Sequence, residues 1–354
     1  MSERCSEGFT MTSKIIALLP EHEPKWDAYV RNNPGTTFYH QTGWKNVVER
    51  TYGHTSRYFF AEDESGRILG ILPLFFINNV FFSKKIVSLP FAPYGGVCAD
   101  NKDVEIALIS HALDITKELR ANTCELRYLS ANNYQEPFHC TSAYSTFLLD
   151  VTKGIDHLWE SLDRKVRNMI RKGEKNTLTF EIGSDLRDVA DFYEVYSRNM
   201  KYLGTPVHSS GFFTTLFSTF PHQIFIAKVK HENTTIASLF LLQYRDTLIS
   251  GWGASLVEYL PLAPNDFLYW NCIKHAASQN LSWFDFGRSL AESNNFRFKK
   301  RWGSYEKPLH YCYYPKSKQI SQPQEQYRHF SGIWKKLPLP LTRMAGPVVR
   351  KFIV

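Results

Sequence analysis

The fold class that the sequence predicts is α/β (α+β), with two domains in tandem, each built on a mixed sheet. Three observations predict it. At 354 residues the chain is long for one ordinary core, since roughly 100–200 residues make a domain. It carries two segments of the same pattern, and amphipathic helices flank both. Its composition, 43% hydrophobic and 21% charged, is that of a folded chain rather than a disordered one.

The first segment, "YFFAEDESGRILGILPLFFI" (58–77), is an aromatic-rich run, a charged turn and a second apolar run, which reads as a β-hairpin. Before it, "GWKNVVERTYG" reads as a helix ending at Gly53. After it, "DVEIALISHALDITKELRA" places apolar residues at three- and four-residue spacing. The second segment, "QIFIAKVKHENTTIASLFLLQY" (223–244), has the same order, Ala227 matching Ala61 and Ala237 matching Gly70. The rival reading is that any two hairpins look alike. Ahead of it, "DLRDVADFYEVYSRNMKYLG" is amphipathic, with Gly204 placed as a stop. Behind it, "NDFLYWNCIKHAASQN" reads as a helix with Asn265 at its N-cap, leading into a strand, "LSWFDFG". A boundary near Asp150 to Asp163 divides the chain into domains 1–155 and 156–315, with a basic, proline-containing tail over 316–354.

The net charge of +8 suits an anionic partner and says nothing about fold. Six cysteines (Cys5, Cys98, Cys124, Cys140, Cys272 and Cys312) form no C-x-x-C pair, which argues against a zinc site and against a disulfide framework. "IIALLP" is too short for a signal-peptide core, and "ILGILPLFFINNVFF" falls short of the ~20 residues of a membrane span. A cytoplasmic chain is expected.

Four stretches hold candidate chemistry. "DRKVRNMIRKGEKN" (163–176) sets Arg164, Arg167, Arg171 and Lys175 along one helix stripe, opposite Val166 and Ile170. Such a stripe grips a sugar phosphate or tRNA backbone, or is a solvated linker helix. "SLPFAPYGGVCAD" puts Gly95 and Gly96 after Tyr94, for close backbone approach to a ligand or for a structural turn. "YSRNMKYLGTPVHS" combines Arg198 with His208, a base or anion donor if it is not simply a surface histidine. "SWFDFGRSLAESNNFRFKKRWG" presents Arg288 and Ser289 at a strand end, where ligands of open sheets sit. Read as a strand, its "NFRFKKRWG" puts Phe296 and Phe298 on one face and Arg297, Lys299 and Arg301 on the other.

Seven motifs in order, "FYHQTGW", "PFAPYGG", "LGTPVHS", "GWGAS", "NDFLYW", "FDFGRS" and "FKKRWG", resemble the FemAB-type proteins, which are tandem GNAT-fold acyltransferases. The resemblance runs from about Phe38 to Tyr313 and leans toward the FemAB-related branch associated with exosortase (PEP-CTERM) and exopolysaccharide gene clusters. It implies two GNAT domains with a cleft between them. FemAB enzymes move an amino acid from aminoacyl-tRNA onto the amine of a peptidoglycan precursor, and their Phe-Lys element, here Phe298-Lys299, places a lysine at the acyl-transfer centre. A fixed ammonium in a water-poor cleft stabilises the developing oxyanion or leaving oxygen. The chain lacks the R/Q-x-x-G-x-G/A loop with which ordinary GNAT enzymes hold acetyl-CoA.

The function expected is amide formation on an anionic cell-envelope precursor, a peptidoglycan peptide or an amino sugar of an exopolysaccharide. Lys299 is assigned to charge stabilisation, Arg288 and Arg198 to anion binding, and Asp285 or His208 to amine deprotonation. Ser289, Tyr94, Gly95, Asn265, Phe298 and Trp302 are expected to bind substrate. No metal and no permanently bound cofactor are expected; the donor is aminoacyl-tRNA, acyl-CoA or an acyl carrier protein. The alternatives are an acyl-CoA or acyl-carrier GNAT enzyme and a non-catalytic scaffold binding RNA or anionic glycans. In the tail, Pro338, Pro340 and Pro347 are expected to prevent one continuous helix. Its interleaved apolar and basic residues suit either an anionic membrane surface, at the inner membrane face, or packing over a groove with the cations snorkelling outward.

Overall fold

Both hairpins form. A computed structural model of the chain describes residues 13–79, 83–130, 137–315 and 331–353. Cys5 and the tail segment 316–330 lie outside them. The first repeat runs β1 (Lys14–Ala17), α1 (Glu23–Asn32), α2 (Thr42–Tyr52), β2 (Thr55–Ser56), β3 (Phe59–Glu62), β4 (Ile68–Leu72), β5 (Phe75–Asn79), β6 (Ser83–Val87), β7 (Cys98–Ala99), α3 (Lys102–Glu118), β8 (Thr123–Tyr128) and β9 (His139–Asp150). After α4 (Ile155–Ser161) and α5 (Arg164–Lys175), the second runs β10 (Thr179–Gly183), α6 (Leu186–Leu203), α7 (Ser210–Thr219), β11 (Ile224–His231), β12 (Thr234–Tyr244), β13 (Thr247–Ser255) and α8 (Pro264–Ser278). It ends in β14 (Trp283–Asp285), β15 (Ser289–Leu290), α9 (Asn294–Lys300) and β16 (Tyr305–Tyr314).

Local chemistry explains the boundaries. Gly53 and Gly204 take the left-handed conformation, with φ of 63° and 72°, and stop α2 and α6 where the sequence places them. Asp185 opens α6 by accepting from the backbone N–H groups of Arg187 and Asp188.

Each repeat pairs three antiparallel strands, β1–β3–β4 and β10–β11–β12, and follows them with a parallel pair, β6 with β8 and β13 with β14. The residue match between the hairpins is corrected. Ala61 faces Gly70, but Ala227 faces Leu239 and Ala237 faces Val229, so the matched alanines do not hold equivalent pairing positions. The closing strands are exchanged. β9 of the first repeat pairs with β14 of the second, and β16 of the second lies between β9 and β8. Strands of both repeats thus share one mixed sheet of 12 strands, beside a four-stranded sheet of the first repeat.

This exchange brings together two cysteines that the sequence keeps 172 residues apart. Cys140 on β9 and Cys312 on β16 are register partners and form a disulfide, which corrects the reading against disulfides. Cys98, Cys124 and Cys272 are buried free thiols.

An aromatic core bonds the repeats. Phe38 of the first packs on Phe220 of the second and Trp44 on Phe212 and Trp252, in one buried cluster that also holds Trp26, Phe192, Phe213 and Phe240. Each such side chain contributes roughly 1.5–3 kcal/mol on burial, enough to hold the halves as one body.

The tail is helical at 331–336 and again over Leu339–Arg350. Pro347 sits inside the second helix without ending it, which corrects the expectation for that proline. This helix docks on α6: Arg343 pairs with Glu194 and donates to Ser197 Oγ, and His54 Nε2 donates to Lys351 O at 2.8 Å. No helix among the described residues is long and apolar enough to cross a membrane.

Candidate active site

β13 and β14 run in parallel for three pairs only, Thr247–Trp283, Leu248–Phe284 and Ile249–Asp285, and then part. Two glycines make the parting. Against β12 the register slips between Phe240–Trp252 and Leu241–Ser250, so Gly251 is the extra residue of a β-bulge. Gly287 has a φ of 73°, and a Cβ there would lie 2.6 Å from Ser250 O. The V between the strands opens into a cavity of about 670 Å³. Tyr39, Phe91 and Pro93 of the first repeat close one side; β13, the C-terminal half of α6, the first two turns of α8 and α9 supply most of the rest. It is the cleft between the repeats.

Asn294–Lys300 is a helix where alternation suggests a strand. Ser293 Oγ accepts from Phe296 N at 3.1 Å and caps α9, a hydroxyl cap that outweighs the period of two. The three cations therefore separate. Arg297 is exposed, Arg301 pairs with the buried Asp266, and Lys299 turns inward. Lys299 lines the cavity and donates to Gly287 O at 2.8 Å and Arg288 O at 3.1 Å. Burial lowers its pKa to about 7; Asp285 opposes that shift and Arg288 adds to it.

Asp285 is buried and committed. It accepts from Tyr94 O–H at 2.8 Å, from Gly287 N at 2.7 Å and from the Thr146 hydroxyl, and it does not line the cavity. Its place is that of a fixed counter-charge, which corrects its expected part in amine deprotonation. Tyr94 spends its hydroxyl on this carboxylate, and a Cβ at Gly95 (φ 133°) would lie 2.3 Å from Leu89 Cδ1. Both serve the packing of loop 88–97, and neither lines the cavity.

His208 is also displaced from the expected role. It is buried among aromatic rings, with Phe212 stacked at 4.5 Å. Arg350 Nε donates to its Nε2 at 3.1 Å, so its proton sits on Nδ1, toward Tyr52 O–H. Burial, then Arg350, holds its pKa well below the usual range, and the ring stays neutral.

Arg288 lines the cavity, its guanidinium 4.9 Å from the Tyr144 ring centroid and donating to Tyr311 O–H at 2.8 Å. Asn265 and Phe298 also line it. Asn265 lies in the first turn of α8 instead of at the cap, which is Ala263, because Pro264 takes the first helical position. Ser289 and Trp302 are buried behind the wall. Arg198 stands outside it in an exposed ion pair with Glu258 at 2.7 Å. On α5, Val166 and Ile170 are buried while Arg164 and Arg171 are exposed and Arg167 half-buried; none of the three arginines lines the cavity.

Sequence reasoning misses Tyr39, Ser250, Trp252, Tyr269 and Arg350, all of which line the cavity. The Gly-Trp-Gly of "GWGAS" was the available signal, since glycines within a strand mark a bulge or close approach. Among the described residues no group of His, Cys, Asp and Glu side chains is arranged to hold a metal.

Comparisons with known proteins agree with this fold. The acetyltransferase (GNAT) domain family model matches residues 161–300, which contain the splay, α8 and Lys299. The crystal structure of FemX superposes with a TM-score of 0.64 at 14% identity, over 90% of this chain and 100% of that one. The C-terminal domain of a putative lysylphosphatidylglycerol synthetase from Agrobacterium fabrum superposes at 0.55 with 13% identity, over 83% of this chain and 92% of that one. A tandem GNAT protein from the clavulanic acid biosynthesis pathway does so at 0.55 with 10% identity, over 85% and 98%. No curated protein sequence matches the chain. The fold is the tandem GNAT fold, and within it residues 161–300 match the acetyltransferase (GNAT) domain family.

Proposed function

We propose that the chain forms an amide on a cell-envelope precursor, the acceptor being a peptidoglycan peptide or an amino sugar of an exopolysaccharide. One observation carries the reading: a buried lysine at the mouth of the β13–β14 splay, held by two carbonyls. A neutral amine has two N–H groups and a lone pair; an ammonium has three N–H groups. With two positions of Lys299 given to Gly287 O and Arg288 O, the third is a lone pair in one state and a donor in the other. A pKa of about 7 populates both near neutrality.

Chemistry follows from that position. The acceptor nitrogen attacks the carbonyl carbon of an activated ester or thioester, and the C–N bond forms as the carbonyl becomes an oxyanion. Lys299 takes the proton that the nitrogen sheds and returns it to the leaving oxygen or sulfur as the C–O or C–S bond breaks. Arg288 and the first turn of α8 offer positive charge to the donor's phosphates. The resemblance to FemAB-type proteins supports an aminoacyl-tRNA donor, and so does "VEYLPLAPND", which runs into the first turn of α8 and lacks the glycine-rich turn that cradles a pyrophosphate. The domain match over the splay supports the second reading, an acyl-CoA or acyl-carrier donor.

Mass spectrometry of envelope and exopolysaccharide fractions, from cells with and without the protein, tests the reaction. An acceptor heavier by one acyl or aminoacyl group, only where the protein is present, is the expected result; identical fractions overturn it. Isothermal titration with CoA species separates the donors, submicromolar binding selecting the second reading.

A further inference from the structure

The tail helix turns its apolar side outward. On Leu339–Arg350 the buried positions are Thr342 and Gly346, whereas Leu341, Met344 and Val348, a stripe at three- and four-residue steps, are 43%, 71% and 66% exposed. A helix docked on a protein body ordinarily does the reverse. Ile333, Tyr202 and Leu203 are exposed as well. The last two belong to the end of α6, which meets the tail where Gly204 lies against Ser331 and Lys335. Glu194 of α6 answers Arg343, but along the tail itself the charge has one sign. Residues 331–353 contain Lys335, Lys336, Arg343, Arg350 and Lys351 and no Asp or Glu, and Lys335 and Lys336 are exposed.

We propose that this face docks on an anionic membrane surface. An outward stripe of flexible apolar side chains flanked by cations inserts into the headgroup boundary while its lysines meet acidic lipid. RNA would draw on the cations and give Met344 and Val348 nothing to do. A helix of this length reaches about 18 Å, against the ~30 Å of a bilayer core, so the segment lies on the surface. Leu203 and Arg350 line the cavity, so docking sets the mouth of the cleft at the lipid headgroups. The proposal rests on the surface alone and stands or falls apart from the acyl-transfer reading.

Flotation of the full chain tests it, with mixed phosphatidylglycerol–phosphatidylcholine vesicles compared with phosphatidylcholine alone. At low salt the protein is expected to float with the first and remain below with the second. Met344→Glu/Val348→Glu should abolish flotation and Met344→Leu/Val348→Leu should retain it, each with the melting temperature of the parent, because these side chains are exposed. Lys335→Glu/Lys336→Glu should weaken partitioning by more than about thirtyfold, since losing each basic residue alone removes roughly a factor of five and each new carboxylate is repelled. A parent protein that stays below the anionic vesicles sinks the proposal, as does a Met344→Glu/Val348→Glu variant that floats like the parent. A dimer dispersed by that variant, or RNA binding lost with Lys335→Glu/Lys336→Glu, overturns it when flotation is absent, giving the face to a second copy or to RNA.

Discussion

After Val87 the parallel strands β6 and β8 part, as β13 and β14 part after Ile249, but the two gaps are filled by different things. In the first repeat the chain itself fills it. Ser88 N donates to Glu125 O at 2.9 Å and Gly95 N to Arg127 O at 3.1 Å. The buried Arg127 holds Leu89 O and Ala92 O with one nitrogen and Glu125 with others. In the second repeat the widening gap becomes the cavity, with Lys299 inside it. The laced splay is no idle copy: its loop carries Tyr94 to Asp285 and supplies Phe91 and Pro93 to the cavity wall. One repeat is closed so that the other is held open.

Replacing Lys299 breaks this contrast most sharply. Lys299→Ala, and equally Lys299→Arg, which keeps the charge but cannot give up its proton, should lower turnover by about 10²–10⁴. The proton-accepting form is the neutral amine, so kcat/KM of the parent should rise as pH passes about 7 and level off above it. The residual rate of Lys299→Arg should show no such rise. A parent profile flat from about pH 6 to 8 would remove Lys299 from proton transfer.

Next comes the laced splay. Arg127→Met leaves Glu125 without its cation in a site almost closed to water, and removing one member of a buried pair costs about 3–5 kcal/mol. Denaturant titration should show that loss, with turnover falling in step as the loop loosens; unchanged stability would mean that the lacing contributes little. Smallest is Tyr94→Phe, which takes one of three donors from Asp285. A loss of about 1–3 kcal/mol in stability and a several-fold fall in kcat with little change in KM are expected. An unaltered kcat would make the bridge between the repeats purely structural.

Much of the fold was legible because it is local. The hairpin runs, the stops at Gly53 and Gly204 and the buried side of α5 are set by residues a few positions apart. The register of the second hairpin and the pairing of Cys140 with Cys312 depend on strands far apart in sequence, and no local pattern encodes them. At the site, Lys299 was readable from the resemblance and Arg288 from its place at a strand end, but their surroundings were not. "NFRFKKRWG" satisfies a period of two and a helical turn alike, and only the Ser293 cap decides between them. His208 and Asp285 have the right chemistry for bases, yet Tyr52 and Arg350 take up the one and Tyr94, Thr146 and Gly287 the other.

The exchange of closing strands also sets an order of assembly. A ribosome releases β8 and β9 long before β16, since β8 ends at Tyr128 and β16 begins only at Tyr305. Until then β8 presents an unpaired edge, the kind of edge that recruits other chains. The nascent first half therefore waits for nearly the whole of the second to be translated, and crowded synthesis of neighbouring copies gives each waiting edge a partner of the wrong molecule.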